Sequence, residues 1–222
     1  MRGVREARMT SVLYFHGFAS SPASAKIAAL RPLLAPHGIE LNTPDLNAPS
    51  FESLDWNAIV ELALDSARRH PPRAIVGSSL GSLVALEVVR RLAGEGAGAP
   101  LVLIAPALGI ADRWKTKLPD GDPIIVFNHA RGANAPIHRA FFEQMFNVRI
   151  DDEPPPVRVV AIMGTNDDTV PFDRVQKTWR RWKSRGLAAG SKFVTIEGGD
   201  HGLTAYADVI EREVIRVIPS ER

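Results

Sequence analysis

The feature that most constrains this chain is the stretch RAIVGSSLGSLVALEVV, where Gly77-Ser78-Ser79-Leu80-Gly81 stands between a β-rich run and a helical stripe of Leu83, Val84, Val88 and Leu92. A G-x-S-x-G string in that setting demands a strand-to-helix turn so tight that neighbouring positions need small side chains, which Gly77 and Gly81 supply. The middle residue is then held in strained geometry with its hydroxyl exposed. Only Ser79 occupies that middle position.

Around this turn, short apolar runs alternate with longer amphipathic stretches, the pattern of strands and crossover helices in a parallel sheet. Six runs read as strands: 11–15, 39–43, 73–77, 101–105, 157–163 and 192–196. Several are nearly continuous in apolar residues, which suits strands covered on both faces. Trp56, Ile59, Val60, Ala63, Leu64 and Ala67 recur at helical spacing, as do Phe172, Val175, Trp179 and Trp182. The basic residues around the last of these stripes read as a solvated face. The expectation is one α/β domain with a mostly parallel sheet of about six strands flanked by helices. Residues 109–156 break the rhythm, because about fifty residues separate two strands where a simple crossover needs far fewer. They are expected to form a lid or cap insertion, with helix-like material over 135–146 and a stiff end at Pro154-Pro155-Pro156.

Composition removes several alternatives. Cysteine is absent, so disulfides, thiol catalysis and thiolate metal sites are excluded. None of the six histidines has metal-ligand spacing. Net charge is +2 with acidic and basic residues interspersed, which argues against a nucleic-acid partner. The longest apolar stretches are strand-sized, too short for a spanning helix. The opening MRGVREARMT is basic with no apolar run behind it, so the expected location is cytoplasmic, with residues 1–8 a tail outside the fold.

A serine hydroxyl is a poor nucleophile at neutral pH unless a general base lies within hydrogen-bond reach and a third group orients that base. After a strand–turn–helix nucleophile the partners follow in the order Ser, acid, His. The acid is sought after the next-to-last core strand, where VVAIMGTNDDTVP offers Asp167, with Asp168 as the neighbouring alternative. Asp167 fits a G-x-x-D-x-x-V-P spacing, and Asp173 is the better placed of the local carboxylates to cap the next helix. The base is sought after the last strand, where FVTIEGGDHGLTAY places His201 in a glycine-rich loop. Two backbone N–H groups must also face the developing oxyanion. Leu80 supplies one, and the loop after the first strand, LYFHGFASS, supplies the other through Phe18, with Gly17 as alternative. His16 reads as a brace for that loop.

The run His16-Gly17-Phe18-Ala19-Ser20-Ser21-Pro22-Ala23-Ser24-Ala25-Lys26 follows a pattern close to H-G-F-x-S-S-P-x-S-x-K. With the turn at Ser79 and the Asp167 and His201 loops, the chain resembles the YqiA-like esterases, small bacterial members of the α/β-hydrolase superfamily. The resemblance spans roughly residues 11–218 and is weak over 109–156. It implies the α/β-hydrolase fold and hydrolysis of a small-molecule carboxylic ester without a cofactor, with Ser79, His201 and Asp167 as triad. The same triad would serve a thioester, an amide or perhydrolysis, and an idle scaffold that only binds a ligand is the rival from another class.

Overall fold

The computed structural model describes residues 9–219, so the tail expected over residues 1–8 lies outside the described residues. Six strands form one parallel sheet: β1 (Thr10–Phe15), β2 (Ile39–Asn42), β3 (Ala74–Ser78), β4 (Leu101–Ile104), β7 (Val159–Gly164) and β8 (Lys192–Ile196), in the order β2-β1-β3-β4-β7-β8. These are the six runs read from the sequence, with ends that differ by no more than two residues, the usual spread of strand boundaries. Every residue of β3, β4 and β7 is buried, whereas edge strands β2 and β8 are only partly buried. Continuous apolar runs therefore mark the centre of the sheet and interrupted ones its rims.

The helices are α1 (Ala25–Leu34), α2 (Trp56–Arg69), α3 (Leu80–Gly94), α4 (Ile110–Lys117), α5 (Arg139–Met145), α6 (Phe172–Ser184) and α7 (Ala207–Val217). Right-handed crossovers dictate which face each covers. The chain steps from β1 outward to β2, then returns past β1 to β3 and moves the other way to β4. Opposite directions of travel put α1 on one face and α3 on the other. Accordingly α1 packs on α7, and α2 on α3. The reversal leaves a crevice between the carboxyl ends of β1 and β3, where open α/β sheets place their ligands.

Residues 109–156 hold α4, α5 and, between them, an antiparallel hairpin of β5 (Ile124–Asn128) and β6 (Ala133–Ile137). The helix expected over 135–146 is thus divided. Ala135, Pro136 and Ile137 pair with β5, and the helix begins at Arg139. Pro136 misleads a reading of the sequence here, since proline cannot donate to a ladder and is tolerated only at such an edge. The segment is fastened to the domain at named points. Gln144 donates to Asp55 Oδ2 (2.7 Å) and accepts from the Trp56 amide (2.8 Å) at the start of α2. Asp151 accepts from the Gly109 amide (2.7 Å), and its carbonyl accepts from the Trp182 indole (2.8 Å). Among the described residues no helix is long and apolar enough to cross a membrane.

Candidate active site

The turn after β3 meets the packing demand read from its sequence. A Cβ at Gly77 would lie 2.6 Å from the Gly81 carbonyl oxygen, and one at Gly81 would lie 2.2 Å from the Phe15 carbonyl oxygen. Strand, turn and helix are thus pressed against each other and against β1, with room for hydrogen only. Ser79, between them, has φ 52° and ψ −119°, a left-handed conformation that costs a non-glycine residue about 1–3 kcal/mol. The surrounding bonds hold it there. Its amide donates to the Ile104 carbonyl (2.9 Å), and its carbonyl accepts from the Ser82 amide (3.0 Å).

His201, in the loop after β8, sets Nε2 3.0 Å from Ser79 Oγ and Nδ1 2.7 Å from Asp167 Oδ2. Asp167 lies in the loop after β7, and its other oxygen accepts from the Thr169 (2.9 Å) and Val170 (2.7 Å) amides. With both oxygens occupied and its side chain fully buried, the carboxylate has one orientation. It accepts from Nδ1–H, which leaves Nε2 with a free lone pair facing the serine. Asp168 is exposed and bonded to the Thr169 hydroxyl (3.1 Å), away from this chain of bonds. Asp173 sits in the first turn of α6, but no side chain caps that helix; Asp167 takes the two loop amides preceding it instead. Gly164 and Gly199 bring the two loops together, for a Cβ at Gly164 would lie 2.2 Å from the Gly199 carbonyl oxygen.

The loop after β1 closes the opposite side of Ser79. A Cβ at Gly17 would approach Ser79 Cβ to 3.2 Å, so this glycine allows the two loops to meet. Phe18 and Leu80 both line the cleft over Ser79, and neither amide has a hydrogen-bond partner among the described residues. The Phe18 ring is held among aromatic residues, stacked on Phe141 (centroids 6.0 Å, planes 4° apart) and edge-on to Trp114 (5.4 Å) and Phe142 (5.9 Å). Three of its neighbours therefore come from residues 109–156. His16 is buried; its Nε2 accepts from the Leu46 amide (2.9 Å) and its Nδ1 lies 2.9 Å from the Gly17 carbonyl, consistent with Nδ1–H donating there. In that tautomer the nearby Asp45 oxygen (3.3 Å from Nε2) is a contact without a proton between them.

The cleft has a volume of about 520 Å³. Beside the residues read from the sequence, it is lined by Tyr14, Lys26, Arg113, Trp114 and His129. Arg113, Trp114 and His129 come from the segment where sequence pattern is weakest, so nothing in the chain announced them. Lys26 and Tyr14 stand in stretches that read as a helix start and a core strand. Among the described residues no group of side chains could hold a metal ion.

The parallel sheet, its switch point and the strained turn define an α/β-hydrolase fold. Residues 11–215 match the uncharacterised protein family UPF0227, the family of the YqiA-like proteins, and the chain belongs to it. Solved structures resemble it over most of their length. A protein of Agrobacterium vitis S4 assigned to the hydrolases is 20% identical with TM-score 0.76, covering 95% of this chain and 88% of its own. Est1E of Butyrivibrio proteoclasticus, solved with ferulic acid bound, is 16% identical with TM-score 0.74 over 95% and 90%. Alpha/beta hydrolase domain-containing protein 10 from mouse is 17% identical with TM-score 0.69 over 98% and 91%. At these identities the likeness establishes the fold.

Proposed function

We propose that the protein is a serine hydrolase of carboxylic esters, working through an acyl-enzyme on Ser79. The observation that carries this reading is the unbroken line of hydrogen bonds from Ser79 Oγ through His201 to Asp167. Ser79 Oγ attacks the ester carbonyl as His201 Nε2 takes its proton. Asp167, bonded to Nδ1–H, supports the imidazolium that forms. The Phe18 and Leu80 amides receive the oxyanion, each worth about 3 kcal/mol to the barrier by comparison with similar donors. The tetrahedral intermediate then breaks its bond to the alkoxy oxygen, which leaves with the proton from His201. In the second half a water gives its proton to His201 and attacks the acyl carbon; the bond to Ser79 Oγ then breaks, Oγ takes that proton back from His201, and the acid leaves. In this reading residues 109–156 cover the mouth of the cleft and shape the acyl site, and no cofactor takes part.

The test is hydrolysis of p-nitrophenyl butyrate together with labelling by a fluorophosphonate probe. Wild type is expected to turn over the ester and to be labelled, and Ser79→Ala to lose both. Equal hydrolysis by the two proteins would refute the assignment, and an unlabelled, inactive wild type would point to a binding scaffold.

A further inference from the structure

Lys26 is not needed for the steps above, yet it reaches the same cleft. It lies in the first turn of α1, and its Nζ donates to Ser78 Oγ at 2.9 Å, one residue before Ser79. An ammonium has three donors and no acceptor, and Ser78 takes one. No carboxylate stands within ion-pair distance of it among the described residues. The nearest acidic groups, Asp167 and Asp200, act on it only from farther off. Asp167 is committed to His201 and two amides, and Asp200 Oδ1 to the Leu203 amide. Burial accordingly pushes the Lys26 ammonium down to about 8.

Beside it Tyr14 is buried, and its hydroxyl is a buried polar group with no hydrogen-bond partner. Ser78 is near enough to act on this phenol, but no bond of proper geometry joins them. A buried donor left unpaired costs stability and is rare in folded proteins. Arg113, whose guanidinium is always charged, also has no ion-pair partner among the described residues, and no aspartate or glutamate lines the cavity. Tyr14, Lys26 and Arg113 thus line the cleft that holds Ser79, and no acidic side chain does.

We infer that the cleft selects esters bearing a carboxylate a few carbons from the scissile carbonyl, with Lys26 pairing to that carboxylate and the Tyr14 hydroxyl donating beside it. The inference rests on the esterase reading and narrows its substrate class. A carboxylate supplies a further acceptor for Lys26 and a first one for Tyr14, and a charge-assisted hydrogen bond in a partly dehydrated cleft is stronger than a neutral one.

Two substrate pairs test it on the full-length protein: the mono-p-nitrophenyl ester of glutaric acid for a carboxylate on the acyl side, and 3-butyryloxypropionic acid for one on the alcohol side. Each is compared with the same ester whose free carboxyl is capped as a primary amide. Wild type is expected to favour the acid by roughly tenfold or more in kcat/KM in at least one pair. Lys26→Met should bring that ratio close to one, and Lys26→Arg should keep most of it. No preference for the acid in either pair, or a preference that survives Lys26→Met, overturns the inference. If Lys26→Met does not fold, Tyr14→Phe carries the test, with a several-fold fall in the ratio expected and an unchanged ratio counting against it. Fluorophosphonate labelling separates the two levels: a labelled Ser79 without acid preference removes only this inference, whereas an unlabelled, inactive wild type removes the esterase reading as well.

Discussion

Two adjacent carboxylates, Asp167 and Asp168, differ in what surrounds them. Asp167 is buried, with one oxygen held by two amides and the other facing His201, while Asp168 is exposed and bonded to a neighbouring hydroxyl. If the proposed mechanism holds, the first keeps the imidazole in the tautomer that leaves Nε2 free, and the second does nothing for it. Asp167→Asn should therefore lower kcat by roughly 10³–10⁴. Asp168→Asn should stay within about twofold of wild type, since exposed substitutions away from such contacts have small effects. Steady-state kinetics on a p-nitrophenyl ester measures both, and comparable losses in the two variants would contradict the assignment. Residue type and spacing favoured Asp167 in the sequence. Burial and the two amide donors supply the physical reason.

At the scale of elements, the strained turn works because three of them converge on it. Strand β3 delivers Ser79, helix α3 starts at Leu80, and the end of β1 lies so close that Gly81 has no space for a methyl group. A second junction fastens residues 109–156 to α6 through Asp151, whose carboxylate is bonded to the Gly109 amide and whose carbonyl is bonded to Trp182. Burial raises the Asp151 carboxyl above the usual carboxylate range, against the opposing pull of the Gly109 amide. A carboxyl raised in the folded state favours folding when protonated, and that contribution is lost as pH rises through the folded-state value. Asp151→Asn keeps an acceptor for Gly109 without the buried charge. It should match or exceed wild-type stability at pH 7, with the difference shrinking toward acid pH. Asp151→Ala leaves the Gly109 amide unpaired and should cost about 1–3 kcal/mol. Urea denaturation across pH measures this. Asp151→Asn being as damaging at pH 7 as Asp151→Ala would show that the charge itself holds the junction.

Across the whole molecule, the sheet and the segment 109–156 divide the work. Loops at the carboxyl ends of β1, β3, β7 and β8 carry Phe18, Ser79, Asp167 and His201, while the segment contributes Trp114, Phe141 and Phe142 around the Phe18 ring. Trp114 also lines the cleft. Under the esterase reading, Trp114→Ala opens space where an acyl chain would lie. Each methylene newly sheltered from water is worth about 0.8 kcal/mol, roughly fourfold in kcat/KM. The ratio of p-nitrophenyl octanoate to butyrate hydrolysis should therefore rise by about fourfold or more. A uniform loss at every chain length would instead show that Trp114 serves only to hold Phe18.

The sequence by itself determined the six strands, because buried strands need unbroken apolar runs, and it determined the turn at Ser79, because only small residues fit beside it. The chain order of Ser79, Asp167 and His201 was also legible, since each follows a parallel strand and all such strands present their carboxyl ends on the same side of the sheet. The β5–β6 hairpin was not legible. Its two strands are short, one contains Pro136, and each gains its ladder partners from the other. Nor did any local signal show that Lys26, at the start of a helix, would meet Ser78 fifty-two positions away, or that Tyr14 would be left without a partner. Periodicity records which face of an element is buried. What a polar group meets once inside is decided by elements distant in sequence, so the contents of the cleft emerged only from the tertiary structure.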